Sequence, residues 1–416
     1  MRVKNNHRSR AAFLIILIMM IAPYASGCSK KQLLSKDSYR QHYVDATEKY
    51  LPRISGTIQA AQFARVDNDS FRDLILHKVD KGQPSQILLL INNKKRGFDF
   101  PSGNKTVKTE KGDIVFFGAG DFNRDGADDL FFIQKEGGRD FASLLFNNKK
   151  GYYYKKVDYV LPEIRQGVER AEVIDLDHDG DLDLFFYGKR VLNPAGRPDR
   201  MQSQIFINNG KGDFQDLTSI LLTPLPPGIS GASIADYDGD GIRDIFLMYG
   251  NGRDRLLFNN SLGKFSDKTA AYLPGIKGET THADWADFDG DGDNDLLIVS
   301  RRAASGETCY FLENDGQGRF TKRSHDILPR ASASRVYLLD ANGNEIPDAL
   351  ILSEGKTIYL QGKGEWKFSV ETVKRLPRYR WISEMAFGDI NGDGYLDIFG
   401  IDTRSRKGRL WLNRFK

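Results

Sequence analysis

Cysteine is almost missing from this chain. Two residues, Cys28 and Cys309, stand in 416, too few for a disulfide framework to hold a fold of this size. Cys309 lies in the apolar run Cys309-Tyr-Phe-Leu312 and reads as a small buried hydrophobe. Histidine is also sparse: six in all, with His7 near the N-terminus and His42, His77, His178, His282 and His325 sharing no motif. No Gly-x-Ser-x-Gly, His-Glu-x-x-His, zinc-ligand spacing or phosphate-binding glycine loop is present, so the common hydrolase, metalloprotease and nucleotide-binding chemistries have no visible carrier. An excess of charge is absent too. The formal net charge is +4, but Arg2, Lys4, Arg8 and Arg10 lie in the first 27 residues with no acid among them. Basic and acidic residues balance in the remainder, and nothing in the global charge argues for nucleic acid.

Those basic residues precede an apolar run from Ala11 to Ala22 and then Ala25-Ser26-Gly27-Cys28. A basic start, an apolar stretch and small residues before a cleavage point form a secretory signal. The stretch resembles a bacterial lipoprotein signal peptide. That resemblance implies removal of residues 1–27, lipid on Cys28 and an exported, envelope-anchored protein, at the outer membrane or cell surface. The uncharged run is short for a span of about 20 residues and contains Pro23, which disfavours a transmembrane anchor. Residues 28–38 then read as the lipidated cysteine and a polar tether, and 39–416 as the folded part.

Aspartate and glycine are plentiful, and they recur in one arrangement. The stretch Asp236-Tyr-Asp-Gly-Asp-Gly-Ile-Arg-Asp244 places carboxylates at Asp236, Asp238, Asp240 and Asp244. Intact copies provide Asp121, Asn123, Asp125 and Asp129; Asp175, Asp177, Asp179 and Asp183; Asp287, Asp289, Asp291 and Asp295; and Asp389, Asn391, Asp393 and Asp397. Two further copies are degraded. Arg65 replaces the first carboxylate of the loop ending at Asp73, and Asn344 replaces the third in Asp340 to Asp348. The seven last aspartates are 49 to 61 residues apart, a period that marks a repeat architecture. Arg65 is expected to pair inside its own loop with Asp67, Asp69 or Asp73.

Each repeat has one grammar. An alternating run precedes the loop and an apolar run follows it. A third run ends in asparagine, as at Asn147, Asn208 and Asn259, and a glycine turn leads to a fourth. Runs of this length between Gly, Asn and Asp clusters are strands, so each unit is a four-stranded blade. Seven connectors carry proline, at Pro52, Pro101, Pro162, Pro226, Pro274, Pro329 and Pro377, where the chain leaves one sheet for the next. The chain ends after a third strand, Leu410-Trp-Leu-Asn413. At the other end, His42-Tyr-Val-Asp-Ala-Thr47 followed by Leu51-Pro52 matches Lys264-Phe-Ser-Asp-Lys-Thr269 followed by Leu273-Pro274. The expected fold is therefore all-β: a seven-bladed propeller of four-stranded blades, closed by an N-terminal strand that completes the last blade.

With Phe117-Gly-Ala-Gly120 and Phe387-Gly388 ahead of two loops, the repeat resembles the FG-GAP/VCBS repeat over about 370 residues. This is the repeat of integrin alpha-chain heads and many bacterial surface proteins. The resemblance implies calcium in about five structural sites, held by side chains at loop positions one, three, five and nine and a carbonyl at seven. An EF-hand would need glutamate at position twelve, where these loops carry Phe132, Phe186, Leu247, Ile298 and Gly400. His178 sits inside a loop and reads as exposed.

Arginine and lysine gather in the turns between second and third strands, on the face opposite the aspartate loops. Arg253, Arg255, Arg301, Arg302, Arg404 and Arg406 lie there, with Arg378, Arg380 and Trp381 on a connector of the same face. The family resembled usually binds its ligands on that face. The expectation is a binding or scaffolding module whose partner is a protein or an anionic glycan, with no nucleic acid and no catalysis. A polysaccharide lyase or hydrolase, or its substrate-binding part, is the alternative from a different class; a structural envelope subunit is a third. The long connection 188–204 reads as a specificity element.

Overall fold

The computed structural model describes residues 42–415, except 68, 95–96, 102–105, 108–111, 158, 189–202, 251, 277, 302–308, 324–332, 354–355 and 379–380. The stretches expected to be a leader (1–27) and a lipidated cysteine with its tether (28–38), and most of the 188–204 connection, lie outside the described residues. Among these residues, no helix is long and apolar enough to cross a membrane.

Seven antiparallel sheets follow one another along the chain. In every blade the second strand starts on the last aspartate of the loop: Asp73–Val79, Asp129–Glu136, Asp183–Tyr187, Asp244–Tyr249, Asp295–Arg301, Asp348–Ser353 and Asp397–Asp402. Several of these strands, such as Asp244–Tyr249 and Asp397–Asp402, are buried at every position because neighbouring blades cover both faces. This explains why they read as continuous apolar runs rather than alternating ones. Most first strands pack against the first strands of adjoining blades and so lie innermost.

Six of the seven first strands carry a register shift near their start, at Ile58/Ala60, Ile114/Phe116, Ile229/Gly231, Thr280/His282, Ala333/Arg335 and Ile382/Glu384. A bulge leaves its extra residue outside the ladder. In four blades that residue is a serine or threonine whose hydroxyl donates to a second-strand carbonyl: Ser230, Thr281, Ser334 and Ser383, at 3.1 to 3.3 Å.

Seven hydrophobic clusters fill the seven gaps between blades. The gap between the last blade and the first is packed like the others, with Ile58, Phe63, Leu74 and Leu88 meeting Phe399, Ile401 and Leu410. At roughly 1.5–3 kcal/mol for each large apolar side chain buried, packing across this gap helps hold the ring shut.

The N-terminal strand Tyr43–Asp45 pairs with Gly408–Asn413 and completes the last blade, as the sequence predicts. The local chemistry repeats at four blade exits. Thr47, Thr218, Thr269 and Thr372 each begin a single helical turn, and their hydroxyls accept the N–H of a third-strand residue at 2.9–3.0 Å. Asp45, Asp216 and Asp267 accept the backbone N–H of the first three of these threonines at 3.0 Å. The Asp-x-Thr shared by 45–47 and 267–269 is thus a blade-exit motif. The first blade departs from the simple count: two short pieces, Phe98–Asp99 and Thr106–Val107, share the place of its fourth strand.

Candidate functional site: the carboxylate loops and the opposite face

Each aspartate loop links a first strand to a second, so all seven loops share one face. In the six loops after the first, position four has positive φ: Arg124, His178, Gly239, Gly290, Gly343 and Gly392. Position six does as well, at Gly126, Gly180, Gly241, Gly292, Glu345 and Gly394. These two left-handed residues fold the loop around its first carboxylate, and glycine takes that conformation without strain. One oxygen of Asp121, Asp175, Asp236, Asp287, Asp340 or Asp389 accepts the position-six N–H at 2.7–3.0 Å. Position five accepts the N–H of position seven in the same six loops at 2.8–3.2 Å. Side-chain oxygens therefore turn inward.

Three loops bring carboxylate oxygens within 4.8 Å of one another: Asp175, Asp177 and Asp183; Asp236, Asp238 and Asp244; and Asp287, Asp289 and Asp291. The other two intact loops, Asp121–Asp129 and Asp389–Asp397, put Asn123 and Asn391 at position three, with the same backbone turns. His178 is exposed at its loop.

The electrostatics of the loops favour a cation. Asp129, Asp183, Asp244, Asp295 and Asp397 are all pushed up to about 8, first by burial and further by neighbouring loop carboxylates. Buried oxygens of Asp175, Asp177, Asp289 and Asp293 have no donor. Oxygen-only ligands, crowded negative charge and undonated buried oxygens suit a hard divalent ion, and these loops could hold one.

The two degraded loops meet charge in different ways. Arg65 reaches out of its own loop, beyond the Asp67, Asp69 and Asp73 that the sequence suggested as partners. Its guanidinium lies 3.4 Å from Asp128 and 3.8 Å from Asp121, both of the next blade, and its backbone N–H donates to Asp128 at 2.7 Å. Asp128 is fully buried, and Arg72 stands 3.9 Å away on its other side. Position eight of the second loop carries this carboxylate, so the arginine reaches across the blade gap. In the sixth blade, Asp348 receives the Tyr359 hydroxyl at 2.8 Å and the Asn342 amide at 3.3 Å. It is pushed up only to about 6, against about 8 in the intact loops.

The asparagine at the end of six of the seven third strands has a role the motif alone did not reveal. Asn92, Asn147, Asn208, Asn259, Asn314 and Asn413 each donate from Nδ2 to the position-two carbonyl of the preceding blade's loop. The acceptors are Ile390, Val66, Phe122, Leu176, Tyr237 and Ala341, at 2.7–2.8 Å. The backbone N–H of each asparagine donates to the position-nine aspartate of its own blade. One residue thus ties the loops of two blades together. The sixth blade has Gly362 at this place, and the backbone N–H of Trp366 donates to Phe288 O instead, at 3.1 Å. The regular asparagine at the end of the third run was the available signal.

On the opposite face, the predicted arginines divide. Arg255 pairs with Asp267. Arg406 is committed to the fold, donating to Ser383 Oγ at 3.0 Å and to Gln59 of the first blade, and Lys407 Nζ donates to Ile54 O and Gly56 O. Both staple the last blade to the first, a structural role that the sequence reading of Arg406 as a partner-binding residue did not include. Arg253 and Arg378 are exposed. Arg404 lies over the Trp381 ring, 4.6 Å from its centroid. Arg301 ends a second strand; Arg302 and Arg380 lie outside the described residues.

The comparisons agree with this architecture. No curated protein matches the sequence. Among solved structures, a lectin from Burkholderia pseudomallei is similar at TM-score 0.57 and 10% identity, over 86% of this chain and 96% of that one. A lectin from Agrocybe aegerita, described as recognising non-reducing terminal N-acetylglucosamine, is similar at TM-score 0.50 and 19% identity, over 75% and 79%. BBS1N, solved in complex with ARL6DN, is similar at TM-score 0.54 and 11% identity, over 90% and 98%. At these identities the likeness concerns the fold. The profile of the FG-GAP-like repeat matches residues 121–186, 195–247, 236–298 and 340–400, more than half of the chain. The chain belongs to the proteins built of FG-GAP-like repeats.

Proposed function

We propose that this protein is a calcium-stapled binding module of the cell envelope, carried on a lipid at Cys28 and presenting the face opposite its aspartate loops to an anionic glycan or a protein. The observation that carries the calcium part is the convergence of carboxylate oxygens within 4.8 Å in three loops. The residues that would hold the ion are those at positions one, three, five and nine of the five intact loops. Calcium there offsets carboxylate repulsion and rigidifies each blade margin; no chemistry at the loops is required of it.

Binding rather than catalysis is supported by the absence of a recognised catalytic motif and by the use of so many carboxylates in loop geometry. Two propellers of similar fold are described as lectins, and a third was solved with a protein partner. The N-terminal strand enters at the loop face, since Tyr43 pairs with Asn413. A tether leaving from there leaves the opposite face open to partners.

The test is a glycan array with the purified protein in calcium, alongside crosslinking of the native protein on membranes. Specific glycan binding or a reproducible crosslinked partner supports the module; failure of both overturns it. Cys28→Ser should release the protein from membranes, and continued retention would overturn the lipid anchor.

A further inference from the structure

Trp381 is clasped by two cations that have no carboxylate partner among the described residues. Arg404 lies 4.6 Å from the indole centroid, and Lys356 Nζ lies 5.1 Å from it. The two come from the second-to-third-strand turns of adjacent blades, the sixth and seventh, and Trp381 from the connector between those blades. The assembly is built rather than accidental. Thr403 donates its N–H to Trp381 O at 2.9 Å. Asp402 holds the turn by accepting the N–H groups of Arg404 and Ser405 at 2.9 and 2.8 Å. Arg406 and Lys407 are consumed by the fold, as described above. Arg404 and Lys356 remain exposed, with Arg378 exposed on the same connector.

From this geometry we infer a binding site for the charged group of an acidic polysaccharide, a carboxylate or a sulfate ester, held between Arg404 and Lys356 on the edge of Trp381. The inference rests on the binding-module reading and names its ligand class. Among the described residues the Arg404 guanidinium N–H groups have no acceptor while the group lies over the indole, which suits a planar or tetrahedral oxyanion. Two cations on one ring repel each other, and an anion between them relieves that repulsion. The site is small. Nucleic acid asks for a longer track of cations than two or three groups provide. A protein hot spot asks for an open apolar centre, whereas here the cations cover the ring. A polymer that repeats one charged sugar meets a small site many times, and so gains avidity from weak single contacts.

The experiment uses the full-length protein in detergent, with calcium, titrated with polygalacturonate, dextran sulfate and neutral dextran at fixed ionic strength. Tryptophan fluorescence and calorimetry are the readouts. Expected is binding to at least one polyanion and none to dextran, with R404Q and K356Q each weakening it at least 5-fold and the pair together at least 20-fold. W381F should remove the fluorescence change, while K264Q, on the other face, should alter nothing. Preference for polygalacturonate assigns a carboxylate, and preference for dextran sulfate a sulfate ester. Equal polyanion binding by wild type and the R404Q/K356Q pair overturns the site, as does lack of polyanion binding by the wild type. In either of those cases a positive glycan array or a crosslinked partner leaves the binding-module reading standing, so the two failures are distinguishable. Unchanged thermal unfolding of R404Q and K356Q separates lost contacts from lost fold.

Discussion

Asn259 shows how much one side chain carries in this protein. Its amide donates to Leu176 O at 2.7 Å and to Arg243 O at 3.1 Å, while its own N–H is held by Asp244. Truncation leaves two carbonyls without that donor in a buried setting. Asn259→Ala should therefore destabilise by about 1–3 kcal/mol, read as a lowered midpoint in urea unfolding, and an unchanged midpoint would show that the latch is idle. A second residue-scale prediction concerns Glu172, on the innermost strand of the third blade. Its carboxyl accepts the Tyr187 hydroxyl at 2.6 Å and is pushed up to about 7, chiefly by burial. A carboxyl whose pKa is higher folded than unfolded prefers its proton in the fold. Its contribution is fully present below about pH 4.3 and is lost as pH rises through about 7. Glu172→Gln should then raise Tm relative to wild type at pH 8 and gain little at pH 4; a gain of the same size at both values would refute the assignment.

The loops behave as interchangeable elements whose charge is balanced in two ways. The cations near the intact loops reach only part of each cluster, as where Arg65 and Arg72 serve Asp128 and Arg65 approaches Asp121, whereas Asp348 of the degraded sixth loop is served by Tyr359 and Asn342. Equilibrium dialysis should accordingly return about five calcium ions per chain, and seven would show that the first and sixth loops bind as well. EDTA should lower Tm and added calcium restore it. Asp238→Asn should remove close to one ion while the other loops keep theirs. No thermal response to EDTA would remove the structural role of calcium. Much of this level was readable from the chain. The nine-residue spacing, the glycines and the two degraded copies were all visible, because a turn that wraps oxygens is a local structure. What Arg65 pairs with was not visible, since Asp128 is 63 residues away and becomes a neighbour only when two blades pack.

Across the whole molecule, closure is the feature to test. Tyr43 is fully buried in the outer strand of the last blade, and its hydroxyl donates to Leu396 O at 3.3 Å. Asp45 and Thr47 repeat the exit chemistry of other blades on that same strand. Tyr43→Ala should cost about 3–5 kcal/mol by analogy with other large buried aromatics. It should also raise hydrogen exchange along Gly408–Asn413, which loses its strand partner. Loss of stability without that local exchange would show that closure does not depend on this strand. Arg406 and Lys407 show the converse case. From the chain they belong to a run of surface cations, but in the ring they are bonds from the last blade to the first.

The number of blades, the place of most strands, the aspartate loops and the closing strand were determined by the sequence alone. Each rests on a pattern confined to one repeat, and seven copies of a local pattern reinforce one another. Only the tertiary structure decided which arginines are spent on the fold and which stay exposed, and which carbonyls the asparagines latch. The same holds for the meeting of Arg404, Lys356 and Trp381 on one edge. Those outcomes depend on distances across blade gaps, between residues dozens to hundreds of positions apart, and no spacing along the chain encodes them until the blades pack.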